Sequence, residues 1–149
     1  MTPEALTEYL HRNIPLSAAL QAQVLAFDNE SLEITAPLTP NLNHRGTGFG
    51  GSLATLAILG GWALLNQALQ NQGLNARIVV QRSDCEFFEP ATADFTAVTT
   101  LSAPTWARFL VMLAKRGRAR ITVDTQIRAD GRFVVSHHGT FVAIADLYS

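Results

Sequence analysis

Cysteine is almost missing from this 149-residue chain. Cys85 stands alone, which excludes an intramolecular disulfide and a zinc site built on several thiolates. A lone thiol suits a reducing compartment, and the expected location is the cytoplasm. Charge is scarce too, at 15% of residues against 48% hydrophobic, with a net charge of −1. Without a basic surplus the chain lacks the electrostatic footprint of a nucleic-acid binder. So little polar cover on so apolar a chain points instead to surface hidden in an oligomer. The opening MTPEALTEYLHRN carries Glu4, Glu8 and His11 where a secretion signal would carry an apolar core, so no leader is expected. No repeat, low-complexity tract or linker divides the sequence, and one domain over 1–149 is expected.

The widest absence is of ionisable side chains, with none between Arg45 and Arg77. Inside that gap Leu53, Leu56, Ala57, Ile58, Leu59, Ala63, Leu64, Leu65 and Leu69 cover every side of a helix. A helix apolar all round is a buried one in a soluble chain. Its length also matches a membrane span. Asn66, Gln67, Gln70, the pair Gly60-Gly61 and the lack of a second span favour a core helix and no membrane. The paired glycines suit close approach of helix to sheet. The helix opens on Gly46-Thr47-Gly48-Phe49-Gly50-Gly51. Glycines there let a ligand reach the unpaired N–H groups of the first turn, which carry partial positive charge. Such an opening suits a carbonyl or an anion. A nucleotide-phosphate loop would need a following Lys-Ser/Thr pair or a βαβ unit with a ribose-binding acid, and neither is present.

The remaining elements follow from period and punctuation. Thr2-Pro3-Glu4 opens a helix with Leu6, Tyr9 and Leu10 on one stripe, stopped by Asn13 and Pro15. Residues 18–27 read as a strand, Asp28-Asn29-Glu30-Ser31 as a turn, and 31–38 alternate as a half-buried strand. Strands are expected at 78–88, closed by Pro90, and at 95–101. Pro104 opens a short helix with Trp106, Phe109, Leu110 and Leu113 on one face and Gly117 as its cap. Residues 121–128 alternate, Asp130-Gly131 is a hairpin signal, and 133–144 return. The sum is α+β: a mainly antiparallel curved sheet wrapped around one long buried helix.

Strand pair, loop, buried helix and four further strands resemble the hotdog fold. Asn43-His44-Arg45-Gly46-Thr47-Gly48-Phe49-Gly50-Gly51 resembles the Asn-x-x-Gly-Thr-x-His-Gly-Gly turn of hotdog acyl-CoA thioesterases of the phenylacetate-pathway type. Phe87-Phe88-Glu89-Pro90-Ala91 resembles their aromatic-x-x-Pro-Ala strand end. The run from His44 to Ser52 is similar to the thioesterase domain found behind an N-acetyltransferase domain in some bacterial proteins. The resemblance implies hydrolysis of an acyl-CoA or acyl-carrier thioester without a cofactor, by a homodimer or a dimer of dimers (a homotetramer). It puts Asn43 on the family's loop Asn, and Gly50-Gly51 on the helix-start pair whose N–H polarises the thioester carbonyl. The family's His before that pair is Phe49 here, and its helix acid falls on Ile58. Three alternatives follow: a base from elsewhere, weakly activated water, or a non-catalytic acyl-binding or regulatory module. A hotdog dehydratase would need a His with a helix acid or loop Asp, a pairing the chain lacks.

Asp84 and Glu86 share a strand face by period 2, and Glu89 lies just beyond. They serve either as solvated carboxylates or as the replacement for the missing acid. Asp84 is the first expectation, because the resemblance implies that this strand forms the dimer seam. His44 is an alternative base or a solvated loop residue, and Cys85 reads as a small packing residue. His137-His138 put one ring on each face of a strand, so no metal pair is expected. Lys115, Arg116, Arg118 and Arg120 form the one dense basic run. It is either a helix end with a solvated strand start or a dock for coenzyme A phosphates. The expected catalytic residues are Asn43, Gly50, Gly51 and Asp84. Substrate contacts are expected at Thr47, Phe49, Ser52, Arg116 and Arg118.

Overall fold

A computed structural model describes residues 1–146. Its helices are α1 (Pro3–Asn13), α2 (Pro15–Ala19), α3 (Gly50–Asn71) and α4 (Ala103–Arg116). Its strands are β1 (Gln23–Phe27), β2 (Ser31–Ala36), β3 (Ala76–Phe87), β4 (Phe95–Thr100), β5 (Arg118–Ala129) and β6 (Arg132–Ala145). They form one sheet in the order β1-β2-β4-β5-β6-β3, and every neighbouring pair is antiparallel. This is the hotdog architecture, a curved antiparallel sheet around a long central helix.

The alternation in β5 shows how the sheet faces the helix. Every second residue from Ala119 to Ala129 is buried, while Arg118, Arg120, Thr122 and Asp124 face solvent. Gly60 and Gly61 let α3 settle onto this face. A Cβ on Gly60 would stand 2.8 Å from Thr99 Oγ1, and one on Gly61 2.8 Å from the Phe141 ring. The Thr99 hydroxyl is itself satisfied, 2.7 Å from Thr125 Oγ1 on the neighbouring strand. α3 is long and apolar enough to cross a membrane, but it is the core helix of this fold. Its half-buried residues Ser52, Thr55, Ile58, Trp62 and Asn66 lie along one stripe.

The strand expected over residues 18–27 is shorter than that. Pro15 both ends α1 and opens α2, because its fixed φ suits a first helical position. Gln21 then turns the chain at φ 58°, and pairing with β2 begins at Gln23. At the other hairpin Asp130 and Gly131 both take positive φ, 51° and 73°, as their sequence predicts.

β3 is an edge strand, and a bulge decides which way it faces. Its register against β6 shifts between Val80 and Arg82. Ile78, Val80, Ser83, Cys85 and Phe87 therefore point to the helix side, and Arg82, Asp84 and Glu86 point outward. Ile78 is buried, and Trp62 Nε1 donates to its carbonyl at 3.0 Å. Val79 and Val80 are exposed, 53% and 43%, on a strand with no second neighbour among the described residues.

Candidate active site

Two distant stretches build the start of α3. Gly48 N–H donates to the Ala91 carbonyl at 2.8 Å, and a Cβ on Gly48 would lie 3.0 Å from Ala91 Cβ. The glycine turn thus docks directly on the Pro90-Ala91 strand end. Phe49 N–H donates to the carbonyl of buried Asn41 at 2.7 Å. Asn43 closes the turn itself. Its Oδ1 accepts from Arg45 N–H at 2.8 Å and Thr47 N–H at 3.1 Å, and its Nδ2 donates to Thr47 Oγ1 at 2.8 Å. Gly46, at φ 78°, supplies the left-handed position that the turn requires.

The helix start differs from those of α1 and α4 in one respect. α1 and α4 are capped by the side chains of Thr2 and Ser102, whereas α3 opens on Phe49 with no side-chain cap. Phe49 O takes the N–H groups of Ser52 and Leu53 at 2.9 and 3.1 Å. The N–H groups of Gly50 and Gly51 meet no acceptor among the described residues. Two aromatic rings flank them. Phe49 folds back so closely that a Cβ on Gly51 would stand 2.5 Å from its Cε2, and Phe87 lies 3.6 Å from the Cβ position of Gly50. Both rings are about half exposed, at 56% and 53%. The result is a pair of free, positively polarised donors beside two half-exposed aromatic rings.

Residues 3–145 match the family described as "Putative thioesterase (yiiD_Cterm)". The chain belongs to that family. Membership implies an acyl thioester as substrate. Among solved structures, a "putative thioesterase" from Shewanella oneidensis is 25% identical, with 95% of this chain and 96% of that one covered at a TM-score of 0.85. A protein of unknown function from Chlorobaculum tepidum is 23% identical over 97% of this chain and 94% of its own, with a TM-score of 0.91. A thioesterase from Haemophilus influenzae is 17% identical over 100% and 96%, with a TM-score of 0.77. The last two share the fold.

Ser52 lies half-buried in the first turn of α3, and His44 is exposed on the loop. Asp84 stands on the outer face of β3, 2.9 Å from Arg82 Nε and across from His138. His138 Nδ1 in turn meets Asp124 Oδ1. The structure therefore does not bring Asp84 to the helix start of its own chain. A second copy added antiparallel along β3 would extend the sheet about a two-fold axis normal to it, leaving every side chain on its own face. Arg116, Arg118 and Arg120 line an open groove of about 570 Å³ with Met112 and Gln81, and Arg120 Nη1 donates to Gln81 Oε1 at 3.3 Å. This groove sits at the Ala76–Ile144 end of the sheet, away from the helix start by Phe87.

Two further side chains lie on the helix-facing side of β3 and β6. Burial pushes the Cys85 thiol up; a hydrogen bond with Ser83 opposes this, and the Asp84 charge adds to it. The thiol stays protonated and is a poor nucleophile. His137, read from the sequence only as one of two rings on opposite faces, is 1% exposed, with its Nε2 2.7 Å from Ser83 Oγ. Burial chiefly holds its pKa below the usual imidazole value; His138 adds to the effect and Asp84 opposes it. Alternation along β6 was the available signal for its burial, but Ser83 as its partner depends on the register with β3.

Proposed function

We propose that this chain hydrolyses an acyl-CoA or acyl-carrier thioester, with the thioester oxygen held by the N–H groups of Gly50 and Gly51. The observation that carries this is the uncapped start of a buried helix, with two free donors between Phe49 and Phe87. Negative charge developing on the carbonyl oxygen would meet donors already oriented by the helix backbone. Asn43 and Thr47 serve by fixing the turn, since their side chains bond each other and the loop backbone. Ser52 and Phe49 border the thioester, and the acyl chain runs along the stripe of Ile58 and Trp62.

The working form is a cytoplasmic homodimer joined through β3, alone or as a dimer of dimers. Open backbone groups on β3 and exposed Val79 and Val80 support it, since a bare edge is a pairing hazard. Antiparallel addition would carry the basic end of one chain alongside the helix-start end of the other. Arg116 and Arg118 of one copy could then hold coenzyme A phosphates for the other.

A second reading, an acyl-binding module without turnover, is favoured by Ile58, because α3 brings no acid of its own. Free-thiol release from a panel of acyl-CoAs, beside equilibrium binding of the same compounds, separates the two. Turnover supports the hydrolase, and binding without turnover supports the module.

A further inference from the structure

Asp84 stands off the helix start and pairs with Arg82 of its own strand at 2.9 Å. Both side chains are well exposed, 56% and 74%, on a strand with one neighbour among the described residues. Charge along β3 is divided, with Arg77 and Arg82 in its first half and Asp84 and Glu86 in its second. An antiparallel copy runs the other way, so its basic half meets the acidic half of the first.

Backbone direction narrows the register. Phe88 N–H donates to Val134 O on β6 at 2.9 Å. Counting back by twos, Glu86, Asp84 and Arg82 turn their backbone groups to β6, while Phe87, Cys85 and Ser83 turn theirs to the open edge. Before the bulge, Asn75 O accepts from Asp146 N–H at 3.0 Å, so Val79 turns to β6 and Val80 to the edge. Residues directly opposite in an antiparallel pair share both a face and a backbone direction. The two-fold axes that keep both conditions and leave most of the strand paired pass at Arg82, Ser83, Asp84 or Cys85. An axis at Arg82 sets it against the partner's Arg82, and one at Asp84 sets it against the partner's Asp84. An axis at Cys85 sets Asp84 against the partner's Glu86, twice over. Like charges directly opposite are destabilising. Only the axis at Ser83 sets Arg82 against the partner's Asp84, and Asp84 against the partner's Arg82.

We infer that β3 pairs with β3 of a second copy about an axis at Ser83, with Arg82 and Asp84 exchanging partners across the seam. The inference rests on the dimer of the reading above and fixes its register. At 82 and 84 the backbone groups turn away from the seam, and opposite Cα atoms in such a pair lie about 4.5 Å apart. Along one strand residues i and i+2 are about 7 Å apart, so Asp84 sits closer to the partner's Arg82 than to its own. Continued through the bulge, with Gln81 as the extra residue, the register sets Cys85 against the partner's Val80 on the inner face. It sets Glu86 against the partner's Val79 on the outer face. The next step brings Phe87, the ring beside Gly50, to the partner's Ile78, whose carbonyl Trp62 already holds. Asp84 thus serves as a clasp between copies, and each helix-start site gains a wall from the second copy on its Phe87 side.

The test is mild oxidation of three proteins with one cysteine each. They are Ser83→Cys with Cys85→Ala, Asp84→Cys with Cys85→Ala, and the unaltered chain with Cys85. Ser83→Cys should form a covalent dimer at least ten-fold faster than the others, because its sulfurs meet on the axis at a Cα separation of about 5.5 Å. Charge reversal reads the same seam without a bond. Asp84→Arg sets Arg against Arg at both pairs and should raise the dimer dissociation constant about ten-fold. Arg82→Asp together with Asp84→Arg should return it to within three-fold. Residues 82, 83 and 84 are exposed at an edge, so these variants fold. Faster crosslinking at 84 or 85 than at 83, or a double reversal that stays weak, overturns the register and leaves the β3 dimer standing. A dimer by light scattering that crosslinks at none of the three overturns the β3 seam as well, and a monomer overturns the dimer itself. Thiol release from acyl-CoA decides the hydrolase reading separately.

Discussion

Gly51→Val separates the chemistry of the helix start from its architecture. A Cβ at residue 51 would stand 2.5 Å from Phe49 Cε2 and 3.1 Å from Cζ, so the ring must swing out. Phe49 is already 56% exposed. Since burying a whole Phe side chain stabilises by about 1.5–3 kcal/mol, releasing this one costs roughly 1 kcal/mol. Removing a glycine from the unfolded chain returns about 0.4–1 kcal/mol. The two nearly cancel, and Tm should move by only a few degrees. Turnover has no such compensation. The branched side chain stands where a carbonyl reaches the Gly51 N–H, and loss of one oriented donor lowers kcat on the order of 10²–10³-fold. Gly50→Ala is the control, because its Cβ would make only an ordinary 3.6 Å contact with Phe87. The assay is thiol release over a range of acyl-CoA concentrations, with Tm from calorimetry. Unchanged kcat/KM in a Gly51→Val protein of unchanged Tm would refute the carbonyl assignment.

Three more outcomes follow from the same geometry. Light scattering at micromolar concentration should give a dimer or tetramer, because β3 has an open edge; a monomer would defeat the shared seam. Asp84→Asn should leave kcat within two-fold, since that carboxylate pairs with Arg82 on the outer face; a ten-fold loss would return the proton-accepting role to Asp84. Stability should fall as pH drops through 6.5, because His137 is held neutral in the fold and the unfolded chain takes up its proton first. This term is fully present above 6.5 and is lost on descending toward the lower folded pKa. Urea titrations on either side of 6.5 should show the slope, and His137→Gln should flatten it; an identical slope in that variant would contradict the burial argument.

Features written locally were legible in the sequence. The apolar run of α3 and the Asp130-Gly131 hairpin each depend on residues close together, and each formed as its pattern implies. β2 and β5 followed from alternation alone. What alternation could not carry was β3. Counting by twos from buried Ile78 reaches Val80, Arg82, Asp84 and Glu86, which would put Asp84 on the helix side. The bulge at Gln81 inverts that phase, turning Ser83, Cys85 and Phe87 inward and the carboxylates outward. A bulge is a property of a pair of strands, and β3 shows no glycine or turn residue that announces it. For the same reason the contact of His137 with Ser83 needs the register of β6 against β3. The close seat of Phe49 over Gly51 was equally hidden, since the glycine reads as room for a ligand when part of that room holds the neighbouring ring.

The claim at the centre of this account is that a thioester carbonyl rests on the start of α3. Amide spectra of the 15N-labelled protein, titrated with an acyl-CoA analogue carrying a methylene in place of the thioester sulfur, report on that contact residue by residue. The account predicts that the Gly50 and Gly51 N–H resonances move downfield together as the ligand saturates. Saturation with those two resonances unmoved, and the shifts gathered elsewhere on the chain, would contradict it.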